Sequence, residues 1–170
     1  MASPAKLAHF VLRTARLKEM LDWYVRVLEG RVVYANDFLA FMTYDEEHHR
    51  VAFAVTGASD RPTEAHTGLH HTAFTYATIG DLLHTYQRLA AEEIRPIWTI
   101  NHGPTTSMYY EDPDGNHVEL QIDNFTDAEM EEFFASGRFD ANPIGVDFDP
   151  DDLVRRFEAG ESFSELVKQA

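Results

Sequence analysis

Two histidines, His9 and His71, occupy matching places in a repeated pattern within this 170-residue chain. Leu7-Ala8-His9-Phe10-Val11-Leu12 aligns with Leu69-His70-His71-Thr72-Ala73-Phe74 at an offset of 62. One histidine on an apolar strand is ordinary. The same residue at the same register in both copies suggests that a pairing of the copies aims both into one concave sheet. A third candidate is Glu119, in Asn116-His117-Val118-Glu119-Leu120-Gln121. Strand alternation puts Glu119 with His117 and Gln121, on the face opposite Val118 and Leu120. Residue types alone leave two readings of that face, one ligand-bearing and one solvated. Two histidines and one carboxylate make a facial triad, which leaves adjacent coordination positions open. That donor set suits non-haem Fe(II), with Mn(II) as a substitute. Zinc hydrolases use the same residue types, but the helical H-E-x-x-H spacing is absent.

The repeat also specifies the elements that must carry these residues. After each opening strand, apolar positions recur at helical spacing. Leu17, Met20, Leu21, Tyr24 and Val27 align with Ile79, Leu82, Leu83, Tyr86 and Leu89. Strand-like runs follow at 31–34, 38–43 and 50–55 in the first copy, and at 94–100, 107–111 and 117–122 in the second. Asp112-Pro113-Asp114-Gly115 is a tight-turn signal, because proline presets one φ and glycine accepts a positive one. The expected fold is α+β: two βαβββ modules, 5–56 and 67–123, form one cupped mixed sheet around a metal site. A polar linker, 56–67, joins them. Residues 124–170 read as a C-terminal helical extension on the same domain. Thr126-x-x-Glu129 is a capping box, Asp149-Pro150 a helix start, and Ser162-x-x-Glu165 a last short helix. Residues 139–148 read as irregular. Phe133, Phe134, Phe139, Ile144, Val146 and Phe148 are too apolar for a free tail, so residues 124–150 are expected to pack across the sheet mouth and exclude water.

Composition narrows the function classes. The chain has 29 acidic and 14 basic residues, a net charge of −15. That argues against nucleic acid and against anionic membrane surfaces, both of which call for a basic face. Residues 123–170 hold 13 acids and 4 bases, so the tail is the most acidic part and is read as a solvated charged face. With no cysteine, a disulfide scaffold, a thiolate nucleophile and an iron–sulfur cluster are all excluded. No signal-peptide pattern or membrane-length apolar run is visible, so a cytoplasmic setting is expected.

Together, Leu-x-His-x-x-Leu, His-His-x-Ala-Phe and Tyr-x-x-Asp-Pro-Asp-Gly-Asn-x-x-Glu resemble the vicinal oxygen chelate superfamily, and within it the type I extradiol ring-cleavage dioxygenases. The resemblance covers about residues 6–122. It implies a metal held by His9, His71 and Glu119, with Fe(II) as cofactor, Mn(II) as substitute and O₂ as co-substrate. It implies a small aromatic diol of the catechol type as substrate and a muconic semialdehyde-type product. Three further positions match. His49, in His49-Arg50-Val51-Ala52-Phe53, takes the place of a general base and then acid. His102, in Asn101-His102-Gly103, and Tyr109 take the places of groups that hydrogen-bond the substrate oxygens. Phe41, Phe53, Trp98, Phe139 and Ile144 are candidates for an apolar wall around the ring. His66, His70, His84 and His117 are left as structural or solvent residues. Family habit also implies a homo-oligomer, dimeric or larger.

Superfamily membership alone does not fix the reaction. One rival is a metal-dependent glyoxalase-like isomerase or transferase. Such enzymes use a fourth ligand, a carboxylate near the end of the first module. Aligning the modules places Ala52 opposite Glu119, and alanine cannot ligate. The other rival is a metal-free drug-binding protein, which would lack the triad.

Overall fold

The computed structural model describes residues 2–63, 65 and 67–169, so His66 lies outside the described residues. The chain forms two compact units. One comprises Met1–Gly68 with Asp112–Asn116, the other Leu69–Glu111 with His117–Ala170.

The first unit runs β1 (Phe10–Thr14), α1 (Leu17–Val27), β2 (Arg31–Ala35), β3 (Leu39–Thr43) and β4 (Val51–Val55). Its sheet has the order β1-β4-β3-β2, with β1 and β4 parallel and the other pairs antiparallel. Helix α1 buries Met20, Trp23, Tyr24 and Val27, the stripe expected from the repeat. Beneath it lie Met42, Val51 and Phe53, all fully buried.

The Asp112–Asn116 turn belongs to this unit although it joins two strands of the other. Asp112 is its anchor and is 2% exposed. One carboxylate oxygen accepts from the Asp114 and Asn116 backbone N–H groups, each at 2.9 Å. The other accepts from the Asn116 amide at 2.8 Å and from the Tyr24 hydroxyl at 3.1 Å. Arg16 reaches Asp114 at 3.0 Å, and Arg61 donates to the Pro113 carbonyl at 3.2 Å. Burial raises the pKa of Asp112, and the bonds it accepts oppose that rise.

The second unit repeats the plan with β5 (His71–Thr75), α2 (Ile79–Ala91), β6 (Trp98–Asn101), β7 (Thr105–Glu111) and β8 (His117–Asp123). Thr78 caps α2 by accepting from the Asp81 N–H at 3.1 Å. Ile79, Leu82, Leu83, Tyr86 and Leu89 are buried on its inner face. The extension follows as α3 (Asp127–Ala135), α4 (Arg138–Ala141), β9 (Val146–Asp147), α5 (Pro150–Glu158) and α6 (Phe163–Leu166). The sheet order is β5-β8-β7-β6-β9, with β5 and β8 parallel.

The α+β class and the paired βαβββ plan hold. The ladders close within each module, however. Among the described residues there are thus two mixed sheets, of four and five strands, in place of one shared cupped sheet. The capping box at α3 and the proline start at α5 act as expected: Thr126 and Glu129 cap reciprocally, and Asp149 accepts from the Asp151 N–H at 2.9 Å. Ser162 precedes α6 without a side-chain cap bond. The stretch read as irregular contains α4 and the edge strand β9, which pairs with β6 through Ile100–Asp147 and Asn101–Val146. The extension thus runs along the sheet's edge, with α5 against α2, where Tyr86 donates to Asp151 at 2.7 Å. Among the described residues no helix is long and apolar enough to cross a membrane.

Asp112→Ala is expected to leave the Tyr24 hydroxyl and three N–H groups without their acceptor. A loss of about 2–3 kcal/mol should follow, read as a lower urea midpoint at unchanged slope.

Candidate active site

Pairing across the second sheet sets four side chains in one row. Ala73 on β5 opposes Glu119 on β8, Glu119 opposes Tyr109 on β7, and Tyr109 opposes Trp98 on β6. Directly opposed residues share a face, and His71, two residues before Ala73, shares it too. The other face carries Met108, Tyr110, Val118 and Leu120, all essentially inaccessible and facing the helix layer. Glu119 is 4% exposed. That decides between the two readings of its strand face: the carboxylate is not solvated.

A buried carboxylate needs partners. The His71 Nε2 lies 3.0 Å from Glu119 Oε2, and the Tyr109 hydroxyl lies near the same carboxylate. Burial, first, and then the Glu119 charge raise the pKa of Tyr109, so the phenol stays protonated. Trp98 stacks on Tyr109 with centroids 5.0 Å apart at 27°, and its indole N–H donates to Asp147 at 2.9 Å. Beyond the row, His102 Nε2 lies 3.0 Å from the Tyr109 hydroxyl, and His102 Nδ1 contacts the Ile144 carbonyl. His71, Glu119, Tyr109 and His102 are therefore gathered in the second unit.

His9 and His49 stand together in the first unit. Their rings are 4.4 Å apart, and Phe41 stacks on His49 at 4.8 Å and 20°. His9 precedes β1 by one residue, whereas His71 opens β5. His49 Nδ1 meets His48 Nδ1. Desolvation lowers the pKa of His49, and the neighbouring His9 and His48 lower it further.

The donor set suits a divalent cation. An imidazole nitrogen and a carboxylate oxygen 3.0 Å apart match two neighbouring ligands on an octahedral ion with bonds of about 2.1 Å. Among the described residues no three His, Cys, Asp or Glu side chains form a ready-made cluster.

The register also tests the comparison between modules. Val11 opposes Ala52 as Ala73 opposes Glu119, and Val11 precedes Ala73 by the repeat offset. The place of Glu119 in the first module is thus held by alanine. Of the wall candidates, Phe53 belongs to the first unit's core, at 0% exposure and edge-on to Tyr24. Phe139 packs on Phe134. The Ile144 side chain is exposed, and its backbone carbonyl makes the contact. His84 and His70 are exposed as expected, with His70 Nδ1 lying 2.7 Å from His71 Nδ1. The Ile144 carbonyl and Asp147 escaped sequence reasoning, which took Ile144 for its side chain, because a backbone carbonyl carries no residue-type signal and Asp147 sits in a turn-rich stretch.

Comparison with known proteins agrees with this geometry. The pattern of the Glyoxalase/Bleomycin resistance protein/Dioxygenase superfamily matches residues 6–120. Biphenyl-2,3-diol 1,2-dioxygenase 2 of Rhodococcus globerulus is 46% identical over 173 positions, covering 100% of this chain and 90% of that one. Biphenyl-2,3-diol 1,2-dioxygenase 3 of the same organism is 46% identical over 168 positions, covering 97% and 88%. Among solved structures, a lactoylglutathione lyase from Agrobacterium tumefaciens superposes with a TM-score of 0.59 at 19% identity, over 71% of this chain and 96% of that chain. That likeness speaks for the fold alone. The chain belongs to the Glyoxalase/Bleomycin resistance protein/Dioxygenase superfamily, and within it to the extradiol, ring-cleaving dioxygenases, oxidoreductases that use O₂.

Proposed function

We propose that this dioxygenase opens the ring of a catechol-type diol beside its vicinal oxygens, using Fe(II) held by His9, His71 and Glu119. The observation that carries the reading is the 3.0 Å contact of His71 with the buried Glu119, next to the Tyr109–His102 pair. The 46% identity to two biphenyl-diol dioxygenases supports it, and biaryl diols are the first substrates to try. Ala52 at the position matching Glu119 favours three protein ligands over four. When bound, Fe(II) would bring diol and O₂ together and acidify the diol.

The rest falls to this chain's side chains. Tyr109 donates from its hydroxyl to one diol oxygen, in exchange for its present partners. His102 Nε2 accepts a proton in the same hydrogen-bonded line. The Trp98 ring, fixed by Asp147, flanks the aromatic ring and excludes water. His49 takes and returns a proton at Nε2, since Nδ1 is engaged with His48. A cytoplasmic setting is part of the same proposal. A homo-oligomer follows family habit and is read by light scattering.

Loading with Fe(II) without air, then adding O₂ with biaryl and monocyclic catechols, should give O₂ uptake and a yellow product. His71→Ala should abolish both. Metal binding without uptake would favour the isomerase or transferase reading, and absence of metal binding a sequestering protein. Chelator treatment should remove activity, with Fe(II) restoring it and redox-inert Zn(II) failing to. Tyr109→Phe keeps the stack on Trp98 and removes only the hydroxyl. It should lower kcat on the order of 10²-fold, as measured by initial rates, with little change in thermal midpoint.

A further inference from the structure

Three separate segments of the C-terminal extension converge on one tripeptide, Asn101-His102-Gly103. The first is the turn before β9. The Ile144 carbonyl meets His102 Nδ1. Gly145, at φ +116°, lies so close that a Cβ there would sit 2.2 Å from the Asn101 carbonyl oxygen and 2.7 Å from His102 Cα. No side chain fits, and an L-residue would also resist that φ. Asn142 shapes the turn from both sides, accepting from the Gly145 N–H at 3.0 Å and donating to the Gly145 carbonyl at 2.9 Å.

The second segment is the chain's end. The buried Asn101 amide donates to the Val167 carbonyl at 2.7 Å, and Gln169 donates to the Asn101 carbonyl at 2.9 Å. The third is α3, whose Phe133 ring lies against Gly103, where a Cβ would stand 2.6 Å from it. Asn124, just ahead of α3, joins the same network by donating to the Gly103 carbonyl at 2.8 Å.

A carbonyl oxygen only accepts hydrogen bonds, so its contact with His102 requires the proton on Nδ1. In a neutral imidazole that leaves Nε2 as a lone pair, and Nε2 is the atom 3.0 Å from the Tyr109 hydroxyl. We propose that the C-terminal extension is the positioning element for His102, with the Ile144 carbonyl holding its proton on Nδ1 so that Nε2 faces Tyr109 as an acceptor. The proposal rests on the reading of His102 as a group beside the diol, and it assigns the extension a task other than covering the site. Ile144 and Gly145 are positioning residues, since neither touches the reacting atoms.

The test is long-range ¹H–¹⁵N correlation on the full chain carrying ¹⁵N-histidine, at a pH of about 8.5, above the ordinary histidine pKa. His102→Gln identifies the signal by its loss. The native chain should show His102 neutral with its proton on Nδ1. Gly145→Ala should move it toward the Nε2–H form or a mixture. Asn142→Ala, at an exposed position that fills no core, should do the same in a chain whose circular dichroism is unchanged. A native His102 with its proton on Nε2 overturns the proposal, and so does a folded variant that keeps the native pattern. The readout needs no metal, O₂ or diol. A chain that cleaves no catechol while showing Nδ1–H would therefore refute the dioxygenase reading alone.

Discussion

A carboxylate buried to 4% exposure is costly unless something compensates it, and Glu119 is such a group. Its surroundings follow from that constraint. Opposite it on one side stands Ala73, small enough to leave room for His71 from two residues earlier. Opposite it on the other stands Tyr109, its hydroxyl near the same carboxylate. The parallel pairing of β5 with β8 is what allows this, because it brings the start of the module beside its end. A hairpin alone would set Tyr109 next to Glu119 and leave His71 elsewhere. The tight turn at Asp112 then fixes the β7–β8 register. A slip of one residue would exchange the row of Glu119 and Tyr109 for that of Val118 and Tyr110.

The two modules share a backbone plan and differ in chemistry. Helix stripes, opening strands and parallel closures repeat. Yet the pair Ala73–Glu119 in one module corresponds to Val11–Ala52 in the other. The first module instead presents a cluster of rings, with His49 between His9 and Phe41. One copy carries a carboxylate, a phenol and the imidazoles of His71 and His102, the other only the imidazoles of His9 and His49 with their neighbouring rings.

Much of this was legible because it was written twice. The repeat identified α1 and α2 by their matching apolar stripes, and it singled out His71 among nine histidines. The choice of Tyr109 over Tyr110 came from the family resemblance, because parity across a turn cannot make it; the β7–β8 register then sets Tyr109 opposite Glu119. What stayed hidden was set by hydrogen bonding rather than by residue type. The sheets divide where ladders close, which hydropathy does not record. Strand β9 is two residues long and has no period to detect. Phe53 looked like a ring contact because it is aromatic, yet strand parity sends it under Tyr24 into the core. Ile144 acts through an oxygen that every residue possesses.

Strand β9 has a consequence for the protein's neighbours in solution. Without it, β6 would end a four-stranded sheet and offer a row of free N–H and C=O groups to any passing strand. Val146 and Asp147 occupy part of that row, and the chain leaves at once through Asp149-Pro150 into a helix. A two-residue strand bearing a carboxylate is too short and too charged to template another. The segment that seats His102 therefore also stops the sheet from growing on that side, and so limits strand-by-strand aggregation of the folded chain.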